Sequence, residues 1–450
     1  MYKDFRRHLE SLEEKGMLLR VRKEVCTRFD IAAGTRKISD NDGPALLFEN
    51  VKSFPGWRVA SGAYATQKLI ALALGLPIDA TEQSIFNRYL ECDQKRVTPR
   101  IVTRAPVKEV ILKGKDVNLA QLPVPIYSEL DAGSYLTAGV EVARDPWTGI
   151  QNVSIHRRLV LDKDKTTILA FPPQHLGLMI DAAEKEGHGL PIATVIGAEP
   201  AYTLASCVNA PEGIDEAEIA GAIQGAPIEV VKCETIDVTV PAHAEIVIEG
   251  VIIPHERVFC GPFGEFPGNY ISMLGTLRTQ APVIKVTAIT MRKKPIFQAM
   301  LTGFPMTENH TLKKWSSAAG AYRVISDLAD VKALNFTPGG ACHYHLVVAI
   351  NKKDDQEPKK IIDSLLHARH GPSLVIVVDD DIDVYNPVEV EWALATRMNP
   401  AKDITISPVH ISRQETRSVS RWGIDATISK EEKQYYRKIT VPGVEKVDYV

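Results

Sequence analysis

The stretch FCGPFGEFPGNY, residues 259–270, contains three glycines, two prolines and a single charged side chain, Glu265. Glycine opens backbone conformations closed to other residues and proline fixes φ. The stretch therefore reads as a rigid loop, not a helix and a poor strand. A loop of this kind presents something, and the Glu265 carboxylate is what it has to present. Cys260 stands five residues before it. Three further segments hold residue types that bind or react. NVSIHRRLV carries Asn152 and Arg157, PPQHLG sets His175 at the start of a helix, and DEAEIAGAIQG sets Glu216 in the first turn of another. Each also has a plain structural reading. A histidine after Pro-Pro-Gln can cap a helix, a first-turn glutamate complements the helix dipole, and an arginine in an alternating strand can face solvent. Spacing alone does not choose between the two. VVDDDIDVYNP, 377–387, puts four aspartates just past an apparent strand. A cation site is conceivable there, but a solvated strand end leading into a helix cap is the ordinary explanation.

The common fingerprints are missing: no GxGxxG follows a strand, and there is no GxxxxGK[ST], HExxH or GxSxG. A chain of 450 residues implies two or three domains. Its 45% hydrophobic and 24% charged residues are those of a globular protein. With a net charge of -3 and no strongly basic region, nucleic acid is not an expected partner. No apolar run is long enough for a membrane-spanning helix. The first residues, MYKDFRRHLESLEEKGMLLRV, are charged and periodic rather than a signal peptide. Phe5, Leu9 and Leu12 share one helical face there, and Gly16 ends the helix. Six cysteines without a CxxC point to free thiols and a cytoplasmic location, with no disulfide or zinc framework.

These residues must be held by something. Up to about residue 100, helical and strand patterns alternate (PALLFEN and WRVASG as strands, TQKLIALALGL and EQSIFNRYLECD as helices), an α/β unit. LAQLPVPIYSELDAGSY reads as a connecting loop. From about 135 to 302, strand signals dominate: YLTAGVEVAR, NVSIHRRLVL, TTILAFP, IATVIG, IEVVKC, AEIVIEGVII, VIKVTAITM and PIFQAM. Two helices interrupt them, and the whole predicts a barrel or curved sheet. The remainder is α/β again, with NPVEVEWALATRM a helix capped by Asn386 and opened by Pro387.

Together FRRHLESLEEKGMLLRV, NVSIHRRLVLDKDK, PPQHLG, DEAEIAGAIQGAPIEVVKCETIDVTVPAHAEIVIEG, GPFGEFPGNY, TENHTLKK and WALATRMNPAKD resemble, in order and spacing, the UbiD family of decarboxylases that use prenylated FMN. The resemblance covers nearly the whole chain. It implies an α/β plus β fold: an N-terminal α/β domain (1–105), a central flavin-reductase-like split β-barrel (106–305) and a C-terminal α/β oligomerisation domain (306–450). It implies a homodimer or hexamer and a flavin prenyltransferase as supplier of the cofactor. Asn152, His175 and Glu216 match the family's ligands for Mn²⁺ or Mg²⁺, an oxygen-rich set with one imidazole. K⁺ would sit near Ala205, Ser206 and Glu216. Asn152, Val153, Ser154, Ile155, His156 and Arg157, with Gln174, His175 and Glu216, match cofactor-binding segments. Arg157 and Glu265 match two members of a carboxylate–arginine–carboxylate network. Glu265 would be the proton donor after CO₂ leaves, its pKa raised by burial, and Arg157 would hold it and the substrate carboxylate. Arg158 should point to the opposite face and be structural.

The chain departs from the family pattern at Cys260, where a second carboxylate is expected. A thiolate favoured by the nearby arginine could partly substitute, Glu256 could fold back, the substrate could bring its own carboxylate, or Cys260 is simply a small buried residue tolerated there. Phe266, Phe304 and His310 are expected at the substrate pocket, His310 alternatively as a helix-start residue, while Lys313 and Lys314 are expected to face water. The expected activity is reversible, non-oxidative decarboxylation of an aromatic, heteroaromatic (furan or pyrrole type) or α,β-unsaturated carboxylic acid. One alternative is a non-catalytic flavin-binding or assembly subunit of a UbiD-like complex. Another is a hydrolase working through a metal on His175 and Glu216.

Overall fold

The computed structural model describes residues 2–211, 213–270, 280–369, 371–411, 418–436 and 438–443. The chain divides into two compact units, one running from Met1 to Ala319 and the other beginning at Gly320.

The first unit opens with the helix Phe5–Glu14. Asp4 caps it by accepting from the Arg7 N–H, and Phe5, Leu9 and Leu12 lie on its buried face, as their spacing predicts. It leads into a four-stranded sheet ordered Leu18–Val21, Ala45–Phe48, Arg58–Ser61, Ile296–Ala299. The last of these comes from PIFQAM, which patterning assigns to the barrel. It pairs in parallel with Arg58–Ser61 instead. Strand periodicity reports that a segment is half-buried, not which sheet receives it. IEVVKC likewise forms a strand, Glu229–Lys232, in a separate three-stranded sheet with Thr239–Pro241 and Arg100–Ile101.

The centre of the unit is a curled nine-stranded antiparallel sheet. From one edge its order is Tyr135–Leu136, Arg158–Asp162, Lys165–Thr167, Gln280–Met291, Ile246–Phe259, Leu190–Ile196, Val140–Arg144 and Gln151–Ile155. Val110–Lys113 pairs with the Gln280–Met291 strand. The last strand in this order, Gln151–Ile155, connects directly to the second, Arg158–Asp162, through His156 and Arg157 alone. So short a link spans roughly 10 Å at most, so the two sides of the sheet must approach each other there. Antiparallel pairing closes this way only if the sheet coils strongly. Arg157 lies on that seam. The core beneath joins the N-terminal sheet (Phe48, Val59, Phe297) to the curled sheet (Tyr135, Ile246, Met291) through one apolar cluster. Leu176, Met179 and Ile180 of the helix His175–Lys185 pack on Ile192, Ile252 and Ile284 in another.

The second unit is a five-stranded sheet ordered Asp330–Phe336, His345–Asn351, Leu374–Asp379, Ser418–Ala426, Ile404–Ile411, parallel at its centre and antiparallel at both edges. Helices Glu357–His367 and Pro387–Arg397 accompany it, the latter capped by the Asn386 side chain as predicted. The aspartate run is not merely solvated. Asp379 is buried, and it and Asp381 both pair with the Arg397 guanidinium, at 3.2 and 2.7 Å. Among the described residues no group of three or more His, Cys, Asp or Glu is placed to hold a metal ion, and no helix is long and apolar enough to cross a membrane.

Candidate active site

The two longest strands of the curled sheet, Ile246–Phe259 and Gln280–Met291, are antiparallel partners. FCGPFGEFPGNY leaves the end of the first, so a stiff hairpin carries the loop. The loop folds on itself: the Glu265 N–H donates to the Asn269 carbonyl (2.9 Å) and the Gly268 N–H to the Glu265 carbonyl (2.8 Å). Gly268 has φ +86°, and a Cβ there would stand 2.2 Å from the Phe304 Cβ. Only glycine meets both demands.

The loop delivers Glu265 to Arg157. Arg157 donates from Nη2 to Glu265 Oε1 at 2.6 Å and from Nε to Oε2 at 3.2 Å, a two-point pair. Its remaining nitrogen, Nη1, donates to the Cys260 carbonyl at 2.8 Å. Both charged side chains are largely buried, with 9% and 12% exposure. The guanidinium also lies over the rings of Phe263 (4.8 Å) and Tyr135 (5.6 Å), a favourable setting for a desolvated cation.

This geometry answers the Cys260 question in part. Position 260 touches Arg157 through its backbone oxygen. Burial pushes the thiol pKa up, which works against a thiolate in the missing carboxylate's place, and the Arg157 guanidinium beside the thiol opposes that shift. Glu256 does not fold back. It pairs with Lys165 at 3.0 Å. Arg158, the neighbour of Arg157, points away as alternation predicts. It is fully buried between Thr166 Oγ1 (3.0 Å from Nε) and Glu141 Oε2 (3.4 Å from Nη1).

Around the Asn152 strand lie two helices, His175–Lys185 and Glu216–Gln224. Gly177 lets the first sit against the Phe171–Pro172 backbone, since a Cβ would come within 2.2 Å of the Phe171 carbonyl carbon. The second is capped by Asp215, which accepts from the Ala217 N–H at 2.8 Å. Glu216 is buried and accepts from Asn152 Nδ2 (3.1 Å) and the Val153 N–H (2.7 Å). Burial pushes its carboxyl up to about 8, with the Val153 N–H opposing. A carboxylate that is buried among neutral donors is a site suited to a cation. Asn152 and Glu216, which the structure does bring together, could offer oxygens to a divalent ion of the Mg²⁺ or Mn²⁺ type, and His175 opens the helix packed on the same strand. His156 closes the same stretch, its Nδ1 on the Leu169 carbonyl (2.9 Å) and its Nε2 on Ser154 Oγ (3.1 Å). Burial lowers its pKa to about 4, so the ring is neutral.

Phe266, Phe304 and His310 come together beside the Glu265 loop. His310 donates from Nε2 to the Phe266 carbonyl (2.7 Å) and accepts at Nδ1 from the Thr307 N–H (3.1 Å). The ring is buried and neutral, its pKa pushed down to about 4 by burial. One nitrogen is thus engaged at the helix start and the other on the Glu265 loop, so His310 ties the two together. Phe304 is 59% exposed. Arg36 holds the segment that follows it, donating to the Pro305 (3.0 Å) and Met306 (2.9 Å) carbonyls. Lys313 and Lys314 do not face water as expected. Lys313 reaches the Cys207 carbonyl (3.2 Å), and buried Lys314 pairs with Glu82. Long aliphatic stems let lysines pack while their heads find partners, which periodicity does not report. Tyr135, Phe263 and Asp131 are absent from the sequence reading of the site. Their only signal was a carboxylate and aromatics in glycine-bearing loops.

Comparison with known proteins fits this geometry. Three family models match in succession: the 3-octaprenyl-4-hydroxybenzoate carboxy-lyase N-terminal domain over residues 9–89, its Rift-related domain over 100–305 and its C-terminal domain over 310–426. Anhydromevalonate phosphate decarboxylase of Methanosarcina mazei is 33% identical over 98% of this chain and 99% of its own. Phenolic acid decarboxylase of Sedimentibacter hydroxybenzoicus is 34% identical over 90% and 86%. An evolved dimeric form of the UbiD-class enzyme HmfF from Pelotomaculum thermopropionicum, solved in complex with prFMN, superposes with a TM-score of 0.90 at 38% identity, covering 100% of this chain and 99% of that one. Three family models in succession and relatives matched over nearly the whole chain establish that it belongs to the UbiD family of carboxy-lyases.

Proposed function

We propose that this enzyme reversibly and non-oxidatively decarboxylates an aromatic, heteroaromatic (furan or pyrrole type) or α,β-unsaturated carboxylic acid with prenylated FMN, Glu265 being the proton donor. The observation that carries the reading is the buried two-point contact between Arg157 and Glu265, at 2.6 and 3.2 Å. It forms without a carboxylate at position 260, which speaks against an inert assembly subunit with a broken network.

When bound, prenylated FMN supplies the electron sink for the departing CO₂. Residues 152–157 with Gln174 and His175 would hold it, and a divalent ion on Asn152, His175 and Glu216 would neutralise its phosphate charge. The chain's own residues do the rest. Arg157 holds Glu265 with its Nε–Nη2 edge, and its other Nη1 and Nη2 N–H groups are the donors it would turn to the substrate carboxylate in the same region. Glu265, in its acid form, delivers a proton to the carbon that lost CO₂. Phe266 and Phe304 offer flat apolar faces to an unsaturated substrate and help to exclude water. A homodimer or hexamer is in keeping with the dimeric HmfF form.

The test is to load purified protein with prenylated FMN and incubate it with furan, pyrrole, phenolic and enoic acids. CO₂ release, and proton–deuteron exchange at the corresponding carbon of the product, are expected for one class. Neither signal with any of them, from protein shown spectroscopically to hold the cofactor, refutes the catalytic reading.

A further inference from the structure

The loop from Tyr127 to Tyr135 grips the Glu265 loop at consecutive points. Tyr135 donates its hydroxyl to the Cys260 carbonyl (2.9 Å) and to the Pro262 carbonyl (3.2 Å). The Ala132 N–H donates to the Pro262 carbonyl (2.9 Å). The Tyr135 and Phe263 rings meet at 4.4 Å, both under the Arg157 guanidinium. The last point of contact is charged. Asp131 Oδ1 accepts from the Gly264 N–H at 2.9 Å, while Oδ2 accepts from the Ser128 (2.9 Å) and Tyr127 (3.2 Å) N–H groups. The two bonds within its own loop are an ordinary aspartate turn. The third crosses to the residue immediately before Glu265.

We propose that Asp131 is a positioning residue for Glu265 and the second carboxylate of this site: it fixes the Gly264 backbone and supplies, beside Arg157, negative charge that Cys260 does not. Three N–H donors hold this carboxylate, a number that favours its ionised form. Burial pushes its pKa up, while the three donors and the Arg157 guanidinium oppose that shift. The Gly264 contact is close-fitting as well, since a Cβ on Gly264 would stand 3.0 Å from Ser128 Oγ. Arg157 pairs with Glu265 directly, Asp131 bonds the backbone just before Glu265, and the guanidinium and the Asp131 carboxyl influence each other electrostatically without contact. The network has two carboxylates again, but the second comes from a different segment and acts through the backbone and the field rather than by contact. An asparagine cannot reproduce this, because its NH₂ would meet N–H donors on one side.

This inference rests on the proposed role of Glu265, so the experiment has two arms that fail separately. In the first, hydrogen exchange by mass spectrometry compares full-length wild type with Asp131→Asn and Asp131→Ala, without cofactor. The peptide containing Gly264 should exchange about tenfold faster or more, with the unfolding midpoint little changed for Asp131→Asn. Unchanged exchange at that peptide overturns the clamp. If Asp131→Ala fails to fold, Asp131→Asn decides alone. In the second arm, cofactor-loaded Asp131→Asn should lose roughly 10- to 100-fold in kcat with KM little changed. Adding Cys260→Asp should recover at least about threefold of that loss, relative to its effect in wild type, as a double-mutant cycle measures. A wild-type kcat in Asp131→Asn, or a cycle without coupling, overturns the charge role. Inactive wild type would refute the decarboxylase reading and leave the exchange result standing.

Discussion

Glu265→Gln separates charge from shape at the centre of the site. Glutamine keeps the length of the side chain and can still accept from Arg157 Nη2, now at 2.6 Å from Oε1. Its NH₂ must then face Arg157 Nε, which sits 3.2 Å from the other oxygen, so donor meets donor. Removing one partner of a buried pair typically costs about 3–5 kcal/mol. The lower end, about 3 kcal/mol, applies here because the Cys260 carbonyl and the two rings still hold the guanidinium. A loss of that size should lower the unfolding midpoint by roughly 3–5 °C. The chemical effect is separate: loss of a positioned acid should cost about 100- to 10,000-fold in kcat. The assay is single-turnover CO₂ release together with deuterium incorporation into product, at a temperature where both proteins are folded and hold equal cofactor. Glu265→Asp, which keeps an acid but shortens its reach, should fall between the two. Full activity and normal deuterium incorporation in Glu265→Gln would refute the proton-donor assignment, whatever happened to stability.

Three further outcomes follow from the geometry. Glu216→Gln should lower bound Mn²⁺ or Mg²⁺ about tenfold or more, read by elemental analysis, and loosen flavin retention on gel filtration, because a neutral amide is a poorer ligand for a hard cation. Gly268→Ala should destabilise the Glu265 loop and cut activity at least about tenfold, since both its φ of +86° and the 2.2 Å approach to Phe304 exclude a side chain. Its unfolding midpoint and kcat would both be measured. Glu308 is wholly buried, and burial raises its carboxyl from 4.5 to about 7, with backbone N–H groups opposing. A carboxyl raised in the folded state adds stability below pH 4.5 that is lost as pH climbs through 7, at most roughly 3 kcal/mol at about 1.4 kcal/mol per unit. Glu308→Gln should therefore flatten the fall in thermal midpoint between about pH 5 and 8, and an unchanged slope would refute that assignment.

Much of this molecule is legible in one dimension. Phe5, Leu9 and Leu12 mark their helix face, Asn386 and Pro387 mark a helix start, and the alternating segments from 135 to 302 announce strands. Those signals are local: they depend on periods of 3.6 and 2 and on the backbone limits of Gly and Pro. FCGPFGEFPGNY is legible for the same reason, as a frame around Glu265. What could not be read is which distant segment meets which. PIFQAM carries a strand pattern but pairs with Arg58–Ser61, and Lys314 reads as a surface residue but pairs with Glu82. The short link from Ile155 to Arg158, which brings the edges of the curled sheet together, has no signature of its own. Asp131 is one more acidic residue in a polar loop until the Gly264 N–H arrives from 133 residues away. The sequence by itself determined the elements, the family and the residues able to do chemistry, because local sterics and residue type decide those. Only the tertiary structure decided the two-point geometry in which Arg157 meets Glu265, that Glu256 pairs with Lys165 instead of folding back, and that Asp131 stands next to the Glu265 loop. Contacts, burial and field depend on distance in space, which sequence separation does not record.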